Sequence, residues 1–308
     1  MASFLNEQIF ILENPIEITS DEESQKTTMS VWVKEKDMIR ASTDITLQKA
    51  LEPGVYVIDF SREQGLFCKK IDIKSDELFV FSDSITIDLL EEIKLFWSKA
   101  DLYKKNKLIH KRGILLEGFP GTGKSSIISI LSNEIMKMGG VVFKVSGYRN
   151  LDNYIDFVRT GFRKIQPDTP IITILEDIDQ YDEVEIELLD FLDGKTHLDH
   201  HVIIATTNNT EMIPDTFLRP SRIDLKIEIP LPNEQTRREY FQHKNVPEKD
   251  LELLVERSDE CSLADLKELY ICIYLLDYVI EDAITKVRTP KEKKNYLNSP
   301  LNKIKLGV

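Results

Sequence analysis

Gly118-Phe119-Pro120-Gly121-Thr122-Gly123-Lys124-Ser125 decides the reading of this chain. The eight residues satisfy GxxxxGK[ST] in full, between an apolar run at 114–116 and a stretch of helical periodicity. Strand, turn and helix in that order make a cradle for phosphate. The glycines let the backbone wrap tightly, so that successive N–H groups point inward at the positive end of a helix. Lys124 is expected to neutralise phosphate oxygens and the Ser125 hydroxyl to ligate Mg²⁺. Gly118, Pro120, Gly121, Thr122, Gly123, Lys124, Ser125 and Ser126 are the expected nucleotide-contacting set. A chance glycine-rich turn is the alternative, and the flanking strand and helix in register argue against it.

A second signal lies about fifty residues downstream. Ile171-Ile172-Thr173-Ile174-Leu175-Glu176-Asp177-Ile178-Asp179 is an apolar strand ending in paired carboxylates. In an open α/β sheet, ligands sit at the carboxyl ends of the strands. One carboxylate, Glu176, can hold the metal shell while Asp177 activates water. Taken alone, such a strand end also serves as a helix cap or a solvated turn.

Working outward, 113–230 alternates short β-branched runs (114–116, 141–145, 171–175, 202–205) with helical patterns such as Leu151, Tyr154, Ile155, Val158 and Phe162. That alternation predicts a parallel sheet covered on both faces. Before it, 9–12, 30–33, 55–60 and 78–81 read as strands and 21–26 as a loop, so that 1–87 is expected to be a small β-rich domain. Leu89, Leu90, Ile93, Phe96 and Trp97 begin a helix, and a basic run at 103–112 reads as a solvated linker. Residues 234–287 read as helical, with Leu263, Leu266, Leu269, Tyr270 and Ile273 on one face. The expected division is 1–87, 88–232, 233–288 and a basic tail at 289–308.

Length and composition fit this plan. At 308 residues the chain has room for about two domains. Hydrophobic residues at 42% and charged residues at 30% exclude an intrinsically disordered chain. Net charge is −13, which disfavours generic nucleic-acid binding, although 286–308 carries seven basic residues against Glu292 alone. Cys68, Cys261 and Cys272 have no CxxC spacing, so a disulfide or zinc framework is not expected, and a cytoplasmic, reducing compartment is. No run is apolar and long enough to span a bilayer, and no signal sequence opens the chain; no membrane association is expected. His197, His200 and His201 lack a cysteine or carboxylate frame and read as an exposed loop.

These motifs, taken in order, resemble the AAA family of ATPases. Leu188-Leu189-Asp190-Phe191-Leu192-Asp193-Gly194 is similar to the family's LLxxLDG segment. Residues 202–209 are similar to its sensor-1 strand, with Asn208 as the polar residue near the γ-phosphate. Leu218-Arg219-Pro220-Ser221-Arg222-Ile223-Asp224 resembles the segment holding the arginine finger, and 262–266 the start of the sensor-2 helix. The likeness covers about 105–285. It implies a P-loop NTPase fold, a Rossmann-like parallel sheet with a C-terminal helical lid behind a small N-terminal β-rich domain. It also implies ATP and Mg²⁺ as cofactors, a homo-oligomeric ring, most often a hexamer, and Arg222 acting across a subunit boundary as the finger. Asn208, Lys124, Glu176, Asp177 and Arg222 are then the expected catalytic set, with Ser125 and Glu176 at the metal.

The departures are specific. The order Glu176-Asp177 inverts the family's usual one and is similar to the Bcs-type translocases. Asp177 is one methylene shorter than the usual catalytic glutamate. Ser221 stands where glycine is usual, and Leu225, followed by Lys226, where a second arginine is common. No sensor-2 arginine is present. Residues 146–154 lack the aromatic–hydrophobic–glycine tripeptide of peptide-threading loops, so a pore role for Tyr148 competes with a packed turn. The expected activity is ATP-driven protein remodelling. The alternatives are a nucleotide-gated scaffold with slow turnover and, behind both, a DNA-handling motor using the basic tail.

Overall fold

The computed structural model describes residues 28–35, 38–46, 50–61, 65–72, 81, 85–145, 151–180, 186–193 and 199–297. Strands β1 (Thr28–Glu35) and β2 (Met38–Thr46) pair antiparallel as a separate two-stranded sheet. Strands β3 (Gly54–Ser61) and β4 (Gly65–Ile71) form a hairpin. Helices α1 (Ile85–Ser98) and α2 (Ala100–Lys105) lead to β5 (Lys111–Glu117), α3 (Lys124–Lys137) and β6 (Val141–Val145). Helix α4 (Leu151–Asp156) continues through a π-helical turn, Phe157–Phe162, into α5 (Arg163–Ile165). Then come β7 (Ile171–Leu175), α6 (Ile186–Leu192), β8 (His201–Thr207) and β9 (Leu225–Glu228). Four helices close the described part: α7 (Glu234–His243), α8 (Glu248–Arg257), α9 (Leu263–Tyr270) and α10 (Ile280–Leu297).

The main sheet has seven strands in the order β4-β3-β6-β7-β8-β5-β9, parallel except for β4. Its central strands are apolar on both faces because helices cover both. Alternate residues separate the two sides, as the period of two requires. Val141, Phe143, Ile171, Leu175 and Ile203 pack with Tyr154, Phe162 and Phe191 of the α4 and α6 layer. Val142, Ile172, Ile174, Val202 and Ile204 pack with Leu89, Phe96, Ile128 and Leu131 of the α1 and α3 layer. Each such side chain, once fully buried, contributes on the order of 2 kcal/mol. The lid has its own core around Phe241, Leu254, Leu266, Leu269 and Cys272.

Four expectations change. Residues 54–57 pair in parallel with 141–144, and Val55, Tyr56 and Ile58 are buried, so β3 and β4 belong to the main sheet and a boundary at 87/88 would cut it. Local alternation reads the same in a separate domain and in this sheet; the partner strand lies far along the chain. The basic run is a linker only in its middle, 106–110, where 106–109 are exposed. Lys104 and Lys105 end α2, while Lys111 and Arg112 begin β5, where Arg112 pairs with Glu92 at 2.5 Å and Lys111 donates to the Ser221 carbonyl at 2.6 Å. That end of β5 is opposite the phosphate loop. His201 is fully buried rather than in an exposed loop, with Nε2 2.5 Å from Thr173 Oγ1. Desolvation holds its pKa well below the usual histidine value. Helix α10 runs on to Leu297, so the tail expected from 289 begins inside a helix. The stretches 9–12, 21–26, 78–80, 146–150 and residues Gly194 and His197 lie outside the described residues.

Candidate nucleotide site

The turn after β5 has the backbone its sequence demands. Gly118, Gly121 and Gly123 all take positive φ, and Gly123 caps α3, so Lys124 and Ser125 open the helix. Gly121 is needed for a second reason. A Cβ there would stand 2.8 Å from Ser262 Oγ and 2.9 Å from Ala264 Cβ, because the start of α9 rests on the loop. The Ala264 N–H donates to the Gly121 carbonyl at 3.1 Å, so the lid is hydrogen-bonded to the phosphate loop. Ser262 caps α9 in a reciprocal box with Asp265, which fixes the helix end that makes this contact.

Lys124 is buried and folds back over the loop. Its Nζ donates to the carbonyls of Gly118 at 2.7 Å and Phe119 at 3.0 Å, and to Asn208 Oδ1 at 2.8 Å. Burial lowers its pKa, opposed by the charges of Asp177 and Asp179. Asn208 passes the connection on. Its Nδ2 donates to Asp177 Oδ1 at 3.0 Å, and its backbone N–H to Asp179 Oδ1 at 3.2 Å. Asp177 has φ 50°, in the left-handed region, and its N–H donates to Thr206 Oγ1 at 3.0 Å. An aspartate tolerates this conformation better than most residues. The result is a hydrogen-bonded line, Lys124–Asn208–Asp177, across the carboxyl ends of β5, β8 and β7.

This line opens on a cavity of about 920 Å³ lined by Pro120, Gly121, Gly123, Lys124, Ser125, Ser126, Glu176, Asp177 and Asn208 from the large subdomain. The lid contributes Tyr240, His243, Lys244, Lys267 and Tyr270. A smaller cavity of about 340 Å³ adjoins it and shares Gly123, Ser126 and Leu263. Its walls include Phe81, Ile85, Ile127, Ile229 and Pro232, with Thr86, Asn233 and Thr236 as polar groups. An apolar slot beside a polar phosphate cradle has the dimensions and chemistry of a nucleotide site. Phe81, Ile85, Thr86, Ile229, Pro232, Tyr240, His243 and Lys244 were not read from the sequence as site residues, because they fall in separated segments with no motif of their own.

The expected site residues do not all meet. Gly118 lies beneath the loop, where its carbonyl holds Lys124. Thr122 faces the smaller cavity, and its hydroxyl donates to the Phe119 carbonyl at 2.9 Å. Arg222 is away from both. Its Nε and Nη2 make a bidentate pair with Asp193 at 2.6 and 2.7 Å, and Nη1 donates to the Thr216 carbonyl at 2.6 Å. Arg219, in contrast, is exposed. Ser125 and Glu176 fit a magnesium site. Both are hard oxygen donors on one cavity, and Mg²⁺ takes few protein ligands, filling its shell with phosphate oxygens and water.

Residues 114–231 match the family model "ATPase family associated with various cellular activities (AAA)". Over 206 residues the chain is 29% identical to a probable 26S proteasome regulatory subunit 4 of Caenorhabditis elegans, covering 59% of this chain and 46% of the relative. It is 28% identical over 208 residues to a 26S proteasome regulatory subunit 6B homolog of Encephalitozoon cuniculi, covering 59% and 52%. Identity to the 26S proteasome regulatory subunit 4 homolog B of Arabidopsis thaliana is 31% over 206 residues, covering 59% and 46%. The chain thus spans about half the length of these curated relatives. They are proteasome subunits, not the Bcs-type translocases that the Glu176-Asp177 order suggested. Phosphate loop, acidic strand end, sensor asparagine and docked helical lid thus agree with the sequence comparison: residues 114–231 are similar to the AAA family of ATPases.

Proposed function

We propose that the chain binds Mg·ATP in the larger cavity, hydrolyses it, and uses the cycle to remodel protein substrates within a homo-oligomeric ring, of which a hexamer is the expected form. The observation that carries this reading is the Lys124–Asn208–Asp177 line, which puts a phosphate-binding cation, a polar sensor and a candidate base in one connected array. The apolar slot takes the base, and the phosphate loop and Lys124 take the β- and γ-phosphates. Asp177 orients the attacking water and accepts its proton, with Asn208 holding the carboxylate in place. Ser125 and Glu176 would hold a magnesium ion, which would supply positive charge to neutralise phosphate oxygens. The hydrogen bond from Ala264 to Gly121 supports a lid that responds to loop occupancy. The relatives named as proteasome regulatory subunits support a protein rather than a nucleic acid as the substrate. The N-terminal stretch 1–87 is the expected adaptor, and with β3 and β4 given to the main sheet the part left for that role is 1–53. Three free cysteines accord with a reducing, cytoplasmic setting; among the described residues no helix is long and apolar enough to cross a membrane.

A second reading, a nucleotide-gated scaffold of slow turnover, has one specific observation behind it: Arg222 is clamped by Asp193 of its own chain. Assembly would then have to free the guanidinium before it could serve a neighbour. Steady-state ATPase measured against ATP-dependent oligomerisation separates the two. Remodelling requires turnover that rises as the ring assembles and falls on Arg222→Ala. Assembly with ATP at a turnover that Arg222→Ala leaves unchanged would favour the scaffold.

A further inference from the structure

Strands β6, β7 and β8 contain one Lys, Arg, Asp or Glu among them, Lys144. The period of two places it on the same face of β6 as Val142, toward the α1 and α3 layer. In register it stands opposite Ile174 of β7, and Glu176 follows Ile174 by two residues on that same face. The consequence is an ion pair: Lys144 Nζ lies 2.5 Å from Glu176 Oε2, with both side chains about one-third exposed, at the rim of the larger cavity. A cation that lines neither cavity therefore occupies the carboxylate that the magnesium site requires.

We propose that Lys144 is a positioning residue for the ATPase site, which holds Glu176 in place until magnesium arrives and then gives up that carboxylate to the metal shell. The inference rests on the Mg·ATP reading given above. Lys144 prevents an unpaired glutamate from standing beside Asp177 and Asp179. Its ion pair competes with the incoming divalent ion for that carboxylate, so it sets the magnesium concentration at which the site fills.

The test is magnesium titration of the full chain with a fluorescent ATP analogue, with nucleotide affinity in EDTA measured first. Displacing a charge-assisted hydrogen bond from the Glu176 carboxylate weakens metal binding there on the order of tenfold. Lys144→Met is therefore expected to lower the half-saturating Mg²⁺ concentration about tenfold, with nucleotide affinity in EDTA unchanged. Lys144→Arg should restore the parental value. In a Glu176→Gln background, Lys144→Met should shift the titration by less than about twofold. An unchanged titration in Lys144→Met overturns the proposal. So does a shift of equal size with and without Glu176, which would make Lys144 a distant charge only. Should Lys144→Met fail to fold, Lys144→Gln carries the same expectations. A parent chain that binds the analogue neither in EDTA nor in magnesium would overturn the Mg·ATP reading itself, and a binding parent with an unmoved titration would overturn only the role of Lys144.

Discussion

Gly113→Ala tests how the arginine-bearing segment is fixed to the sheet. Gly113 is the third residue of β5, and its N–H donates to Asp224 Oδ2 at 2.8 Å while its carbonyl accepts from the Asp224 N–H at 2.8 Å. A Cβ at this position would stand 1.8 Å from the Arg222 carbonyl oxygen, 2.9 Å from its carbonyl carbon and 3.2 Å from Ile223 Cα. All three atoms are backbone, so no rotamer change relieves the overlap. Restoring an ordinary C···O contact requires a separation of about 1.5 Å. Both hydrogen bonds to Asp224 stretch past their useful range at that displacement. Losing them costs about 1 kcal/mol for the neutral one and about 2 kcal/mol for the one to the carboxylate. Residual overpacking adds on the order of 1 kcal/mol. The sum, about 4 kcal/mol, lowers the midpoint of thermal unfolding by on the order of 10 °C for a domain of this size. Circular dichroism melts measure it, with Gly161→Ala as the control, since a methyl there meets nothing within 4 Å. The control should be neutral or slightly stabilising, because alanine outranks glycine in a helix. A Gly113→Ala melt within about 2 °C of the parent would refute the reasoning.

Ser221 carries φ 74° at a position where the family usually has glycine. Ser221→Gly should relieve left-handed strain and raise stability by about 1 kcal/mol in urea unfolding; a loss of stability would contradict that account. Asn208→Ala removes the link between Lys124 and Asp177, so kcat should fall on the order of a hundredfold with nucleotide affinity nearly unchanged. Equal losses in affinity and kcat would assign Asn208 to binding instead. His201, enclosed by Thr173, Tyr154 and Phe191, stays neutral in the fold, whereas the unfolded chain takes up a proton near the ordinary value of 6.5. Its contribution is therefore complete above that pH and is lost as pH falls below it, by up to about 1.4 kcal/mol per unit. Melts from pH 7.5 to 5 should show this slope, and His201→Gln should flatten it; an identical slope in the variant would remove His201 as the cause.

The phosphate loop, the four central strands and the α4 face were legible in the sequence because each is a local pattern tied to one period. Val141–Val145 and Ile171–Leu175 coincide with the runs read from the sequence. Leu151, Tyr154, Ile155, Val158 and Phe162 are all buried, as their spacing required. What escaped was relational. The strand at 54–61 reads as β in any setting, and only its pairing with β6 assigns it to this sheet. Lys144 was not singled out in the sequence, because its partner becomes apparent only when β6 and β7 are laid in register. The Arg222 clamp depends on Asp193, which the sequence offered only as part of a family segment. His201 looked like a loop histidine because HLDHH is polar, yet the last histidine begins β8 and is enclosed by Tyr154, Thr173 and Phe191.

Calorimetric titration of ATP into the magnesium-loaded chain, run beside Lys124→Ala, bears most directly on the nucleotide site. Saturable binding that weakens at least about tenfold, or 1.4 kcal/mol, in the variant is the predicted result. A parent that takes up no ATP, or a variant that binds as tightly as the parent, would contradict it.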